Sequence, residues 1–223
     1  MTSYIGTYGE KALHRNIKWR IDPTGACHEV PIGRYIADIR TDAGITEIQT
    51  KSFHKLRAKL AAFLPEHIVT VVYPLAREKQ IVWVDAESGE IIRSRRSPKR
   101  GSFYNAFREL YQIKQLLTDG NLRLRLILLD VTEQRTADDS RRKRYSLLET
   151  EVRDVCDELY IGRADDYSRL IPPPLTERFT TRDYASASGV NTRDAGTALN
   201  VLYYVGAVER VGKQGRYYLY SRK

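Results

Sequence analysis

The sequence predicts an α/β protein: a mixed sheet flanked by helices, closed by a second and smaller module. Three observations carry this. Residues 67–73 read His-Ile-Val-Thr-Val-Val-Tyr, a nearly unbroken β-branched run of the kind shown by a strand buried on both faces. An amphipathic helix and an earlier strand precede it, an order that implies a right-handed parallel crossover. Leu170-Ile171-Pro172-Pro173-Pro174 then interrupts the chain with three prolines, a stiff linker through which no helix can run. The expected domains are therefore 1–170 and 171–223.

From Tyr4 to about Ile21 the period is helical, with Leu13, Ile17 and Ile21 in one row. Glu10 lies three positions before Leu13 and seven before Ile17, on the core-facing stripe, where a carboxylate needs a partner. If the first turn is exposed, Glu10 simply complements the helix dipole. Asp22-Pro23-Thr24-Gly25 stops the helix. Residues 30–39 form a strand and 45–51 another, joined by Arg40-Thr41-Asp42-Ala43-Gly44 as an antiparallel hairpin. Ile36 and Asp38 share a face of the first strand. Ile45, Glu47, Gln49 and Lys51 share one face of the second, with Thr46, Ile48 and Thr50 on the other. Both faces mix apolar and polar residues, which a half-solvated strand would not do.

Ser52 fits an N-cap for a helix carrying Phe53, Leu56, Leu60, Phe63 and Leu64, which ends at Pro65. After the buried strand comes a second hairpin, with Ile81-Val82-Trp83-Val84 and Ile91-Ile92 flanking Ser88-Gly89. Residues 93–101 hold five cations and no acid, an exposed loop that either lies against phosphates or is simply solvated. A helix is expected over about 102–118, then a strand in which Leu122, Leu124, Leu126 and Leu128 alternate with Arg123 and Arg125. Arg141-Arg142-Lys143-Arg144 opens an expected helix to about Tyr160, with Leu147, Leu148, Val152, Val155 and Leu159 as its apolar row.

The net charge of +9 and a pI near 9.5 favour an anionic partner, most simply nucleic acid, because phosphate neutralisation releases counterions. The start Met1-Thr2-Ser3-Tyr4 lacks a secretory pattern, and no segment is long and apolar enough for a membrane span. Cys27 and Cys156 lie far apart without ligand spacing, which suits a reducing, cytoplasmic setting. The histidines are scattered, and no Walker loop or dinucleotide glycine fingerprint is present.

A hydrolytic metal site needs oxygen ligands converging from rigid elements, and Mg²⁺ takes few carboxylates, several waters and the substrate phosphate. Asp38, Glu47 and Glu10 could supply such a set. Gln49 could orient water, and Lys51 or Lys55 could neutralise developing phosphate charge. The order from Glu10 through Asp38 and Glu47-Ile48-Gln49 to the amphipathic helix and buried strand resembles the PD-(D/E)xK nuclease superfamily, across residues 4–85. That resemblance implies a restriction-endonuclease-like core and Mg²⁺ or Mn²⁺ held by Asp38, Glu47 and Glu10. It also implies a catalytic set of Glu10, Asp38, Glu47, Gln49 and Lys51, and a homodimer as one working assembly. Gln49 stands where the superfamily usually has lysine, and Ala37 where a proline often precedes the aspartate. The alternative reading makes Asp38 and Glu47 ordinary strand-edge acids paired with Arg34 and Lys51.

In residues 175–223, Thr180 or Thr181 caps a helix, Gly189 turns the chain, and Asn191 or Thr192 caps a second helix. The second helix carries Ala195, Ala198, Leu199, Leu202 and Tyr203 and ends at Gly206. A hairpin with a basic tip, Gly212-Lys213-Gln214-Gly215-Arg216, follows. This order resembles the winged-helix family. The resemblance puts Asn191, Thr192 and Arg193 at a major groove, and Lys213 and Arg216 against phosphate or minor groove. Residues 178–223 hold eight Lys/Arg against three Asp/Glu, consistent with a DNA partner. The expected function is a metal-dependent DNA endonuclease. The alternative is a non-catalytic DNA-binding or regulatory protein on a degenerate nuclease fold, or a module whose winged helix contacts protein.

Overall fold

A computed structural model describes residues 5–137 and 145–223, with side chains from Ala12 onward. The basic stretch 141–144 lies outside the described residues. The chain is mixed α/β, built on one large mixed sheet. Helix α1 (Ile5–Ile21) leads to strands β1 (His28–Ile32), β2 (Tyr35–Thr41) and β3 (Gly44–Ile48). A 3-10 turn, Phe53–Leu56, runs into α2 (Arg57–Phe63), followed by β4 (Val69–Val84) and β5 (Ile91–Arg96). The sheet ends in β6 (Leu122–Ala137) and β7 (Tyr145–Ile161). Its order is β1-β2-β3-β4-β6-β7, with β5 on the far half of β4.

β3 and β6 both run parallel to β4, so the predicted crossover through α2 is present. Apolar residues divide between two faces by simple alternation. On one face Val69, Val71 and Tyr73 of β4 join Leu122, Leu124 and Leu126 of β6 in the main core with α2. On the other, Val72, Ile127, Leu129 and Val131 pack against Ile17 of α1.

Several expectations are corrected. Residues 30–39 are not one strand: Gly33, at φ 57°, turns the chain back between β1 and β2. Part of the basic 93–101 stretch is paired, as strand β5 on β4. The helix expected over 102–118 is three short segments, with 3-10 turns Phe103–Ala106 and Tyr111–Leu116 around α3 (Phe107–Leu110). Ser52 sits in left-handed backbone and makes no side-chain cap. The first amides of that turn are instead capped from a distance. Glu109 accepts from the Phe53 N–H at 2.8 Å and Gln112 from the His54 N–H at 2.9 Å.

The largest correction is β7, where a helix was expected. Register shifts at Leu128/Leu129, Asp130/Val131 and Gln134/Arg135 each leave one extra residue on the β7 side. Such bulges bring residues three apart onto the same face. Val152 opposes Val131 and Val155 opposes Leu129, so both reach the α1 core with a spacing that imitates a helix.

The closing module contains α4 (Thr181–Ser188), α5 (Thr192–Tyr204) and a separate hairpin of β8 (Val208–Gln214) and β9 (Tyr217–Arg222). Its expected punctuation is present. Thr180 and Asp183 form a capping box, Gly189 ends α4 at φ 71°, and Asn191 caps α5. The proline linker does not separate two cores, because Leu170, Ile171, Tyr184 and Leu199 belong to the same buried cluster as β4 and β6. Arg222 donates to the carbonyls of Leu175, Ile171 and Pro172 and pins the linker down. Among the described residues no helix is long and apolar enough to cross a membrane.

Gly44 opens β3 at φ 127°, and a Cβ there would meet the Ile68 carbonyl oxygen at 2.3 Å. Gly44→Ala should therefore destabilise the fold by about 2 kcal/mol or more, read as a lower urea midpoint at unchanged m.

Candidate functional site

The β2–β3 ladder runs from the turn through Arg40–Ile45 to Ile39–Thr46 and then opens. At that opening, carboxylates take the place of backbone partners. Asp38 Oδ2 accepts from the Ile48 N–H at 2.8 Å, and Glu47 Oε1 receives a longer contact from the Asp38 N–H at 3.4 Å. By alternation Asp38 belongs to the α1 face of the sheet and Glu47 to the α2 face. They meet only because the strands part here.

Each acid takes a basic partner from the helix on its own side. His14 of α1 lies 3.1 Å from Asp38 Oδ2, and Lys59 of α2 donates to Glu47 Oε2. Glu47 is only 2% exposed. Around this pair opens a cleft of about 800 Å³ lined also by Arg15, Lys18, His28, Glu29, Gln49 and Thr50. Lys18 is buried and donates to Glu29 at 2.8 Å.

The two acids titrate in opposite directions. Burial, then the charge of Asp38, pushes Glu47 up to about 7 even though Lys59 touches it. Burial acts the same way on Asp38. There, however, the hydrogen bond and charge of His14, the Ile48 amide and Lys59 outweigh it and leave the carboxyl below its ordinary value. A pair divided in this way is the arrangement seen where two acids share one proton or one cation.

Of the sequence-predicted set, Asp38, Glu47 and Gln49 line one cleft. Gln49 turns its amide toward the Lys51 carbonyl. Lys51 is exposed, beyond the end of β3 and outside the cleft lining. Glu10 lies on α1 one turn before His14, and its side chain is outside the described residues. In the strand-edge alternative Arg34 pairs with an acid, but Arg34 lies over the Tyr35 ring, 5.1 Å from its centroid. Among the described residues no group of three or more His, Cys, Asp or Glu could hold a metal. The Asp38–Glu47 pair supplies two carboxylates, and Mg²⁺ takes only one or two beside water and phosphate.

At the closing module, Thr192 and Arg193 are exposed in the first turn of α5. The Asn191 side chain is spent on its cap: it accepts from the Asp194 N–H at 2.9 Å and donates to the Asp194 carboxylate at 2.8 Å. Arg108 of α3 also holds Asp194, at 2.7 Å. Lys213 and Arg216 are exposed on the hairpin, and Arg216 donates to the Tyr217 hydroxyl.

Residues 11–162 match the family described as Domain of unknown function (DUF8091). The chain belongs to that family. An uncharacterized protein of Treponema pallidum (strain Nichols) is 31% identical over 224 residues, spanning 98% of this chain and 88% of its own. No solved structure matches. The DUF8091 span takes in His14, Asp38, Glu47 and Lys59 and ends before the linker, so the whole cleft lies inside the family domain. The Treponema alignment continues through the closing module.

Sequence reasoning missed His14 and Lys59. A signal existed for His14, because positions 10, 14 and 18 make an i, i+4 row on α1.

Glu47 sets a pH dependence. Its folded pKa lies above the ordinary 4.5, so its stabilising contribution is complete below that value and is lost as pH rises through about 7. Relative to Glu47→Gln, the wild-type protein should lose on the order of 2 kcal/mol between pH 5 and pH 8 in urea denaturation.

Proposed function

We propose that this protein is a metal-dependent DNA endonuclease, with a restriction-endonuclease-like core that carries the cleft and a winged-helix module that binds the substrate. The observation that carries the reading is the Asp38–Glu47 pair at the opened strand junction, with Lys59 poised on one acid. The pair is a competent ligand set for Mg²⁺ or Mn²⁺, with Glu10 on α1 as a third candidate. Bound there, the ion supplies Lewis-acid stabilisation of a phosphoryl oxygen and a more acidic water.

The chain's own groups do the rest. Displaced from Glu47, the Lys59 ammonium is free to pair with a phosphate oxygen, where negative charge grows during in-line attack. His14 fixes the rotamer of Asp38 and keeps it ionised. Arg15, which also lines the cleft, adds positive charge for the DNA backbone. Gln49 occupies the superfamily's lysine position but turns to Lys51, so the cationic role passes to Lys59. That same displacement favours a second reading, a DNA-binding protein whose cleft is a retired site neutralised by His14 and Lys59.

Incubated with plasmid and branched DNA in Mg²⁺, the wild-type protein should cut. Asp38→Ala and Glu47→Ala should abolish cleavage, and Lys59→Ala should lower it by roughly 10²–10³. Full cleavage in both acid variants would overturn the site, and salt-dependent binding without cleavage selects the second reading. On duplex DNA, Lys213→Ala and Arg216→Ala should each weaken binding across sequences and flatten the log K against log salt slope by about one.

A further inference from the structure

Four tyrosines stand exposed along one strip that the core does not need: Tyr111 at 48%, Tyr203 at 45%, Tyr204 at 41% and Tyr218 at 42%. Cations alternate with them. The Lys114 ammonium lies 5.3 Å from the Tyr111 ring centroid and 5.0 Å from that of Tyr204. The Arg210 guanidinium lies 4.5 Å from Tyr203 and 4.1 Å from Tyr218, and Lys213 continues the strip at 5.4 Å from Tyr218. Between the two halves lies a recess of about 590 Å³ lined by Lys114, Asn200, Arg210 and Lys223, with Glu209 as its acid. Lys114 holds Asn200 at 2.9 Å, so the strip crosses from the first module to the closing one.

We infer that this strip binds single-stranded DNA and holds an unpaired strand along one face of the hairpin and across α5 to Tyr111. The inference rests on the DNA-directed reading above and deepens it by naming the substrate class, DNA with a single-stranded segment. Aromatic faces interleaved with cations match a chain of stacked bases on a phosphate backbone. Duplex bases already stack on each other and have no use for exposed rings. An acidic peptide would satisfy the cations but leave the rings without partners.

The test uses the full chain with Asp38→Ala, so that DNA is bound but not cut, and follows the anisotropy of a fluorescein-labelled oligothymidylate. Tyr203→Ala and Tyr218→Ala should each weaken binding about tenfold, with Tyr→Phe at the same positions near wild type and duplex affinity unchanged. The rings are exposed, so thermal melts of these variants should match the parent. Oligothymidylate binding that is indifferent to both alanine variants overturns the inference. So does displacement of the oligothymidylate by poly-glutamate at lower concentration than by unlabelled oligothymidylate, and so does tighter binding of oligouridylate. None of these measurements depends on cleavage, so failure of the nuclease reading leaves them intact.

Discussion

The parallel pairing of β4 with β6 is the constraint on which the rest of the molecule depends. Both are sixteen-residue strands, paired from Val69–Leu122 to Trp83–Arg135. Their alternating apolar residues supply the floor of two cores at once, one under α2 and one under α1. Because β3 also runs parallel to β4, with Ile48 opposite Val72, the end of β3 is fixed in space. β2 shares a backbone ladder with β3 only near the turn. Beyond Ile39–Thr46 the strands are bridged by the side chains of Asp38 and Glu47 instead, and the cleft forms there.

That gap has an electrostatic cost which the flanking helices offset unequally. Asp38 sits against a histidine and a backbone amide and stays ionised. Glu47 is sealed beneath Lys59 and still resists ionisation, because burial and its like-charged neighbour outweigh one ammonium. Replacing a buried charged cluster with apolar residues of similar volume is often neutral or stabilising, so stability alone gives no reason for this one. Glu29, a non-glycine residue at φ 53°, stands on the cleft rim.

Much of this was legible in the chain, and the remainder fails for identifiable reasons. The crossover, the β2–β3 turn and the caps at Thr180 and Asn191 all follow from local chemistry or simple periodicity. β7 did not, because its bulges shift Val152 and Val155 onto one face and counterfeit a helical spacing. Alternation alone would keep Asp38 and Glu47 on opposite faces, and only the opening of the ladder brings them together. The cap at Ser52 failed because Glu109 and Gln112, more than fifty residues away, reach the same amides. Lys59 was invisible as a partner of Glu47 because only the packing of α2 on the sheet decides which of its cations faces the strand opening.

α3 and the turn that follows it join regions otherwise far apart. Arg108 grips Asp194 in the first turn of α5, while Glu109 and Gln112 grip the amides that begin the turn into α2. Arg57, at the start of α2, closes the loop by donating to the Gln112 carbonyl. One solid linkage therefore fixes both the heading of the helix that bears Lys59 and the seat of the closing module. The helix that bears Lys59 and the closing module are thus seated in one packed core through α3, so a substitution in that short helix would be felt at both ends.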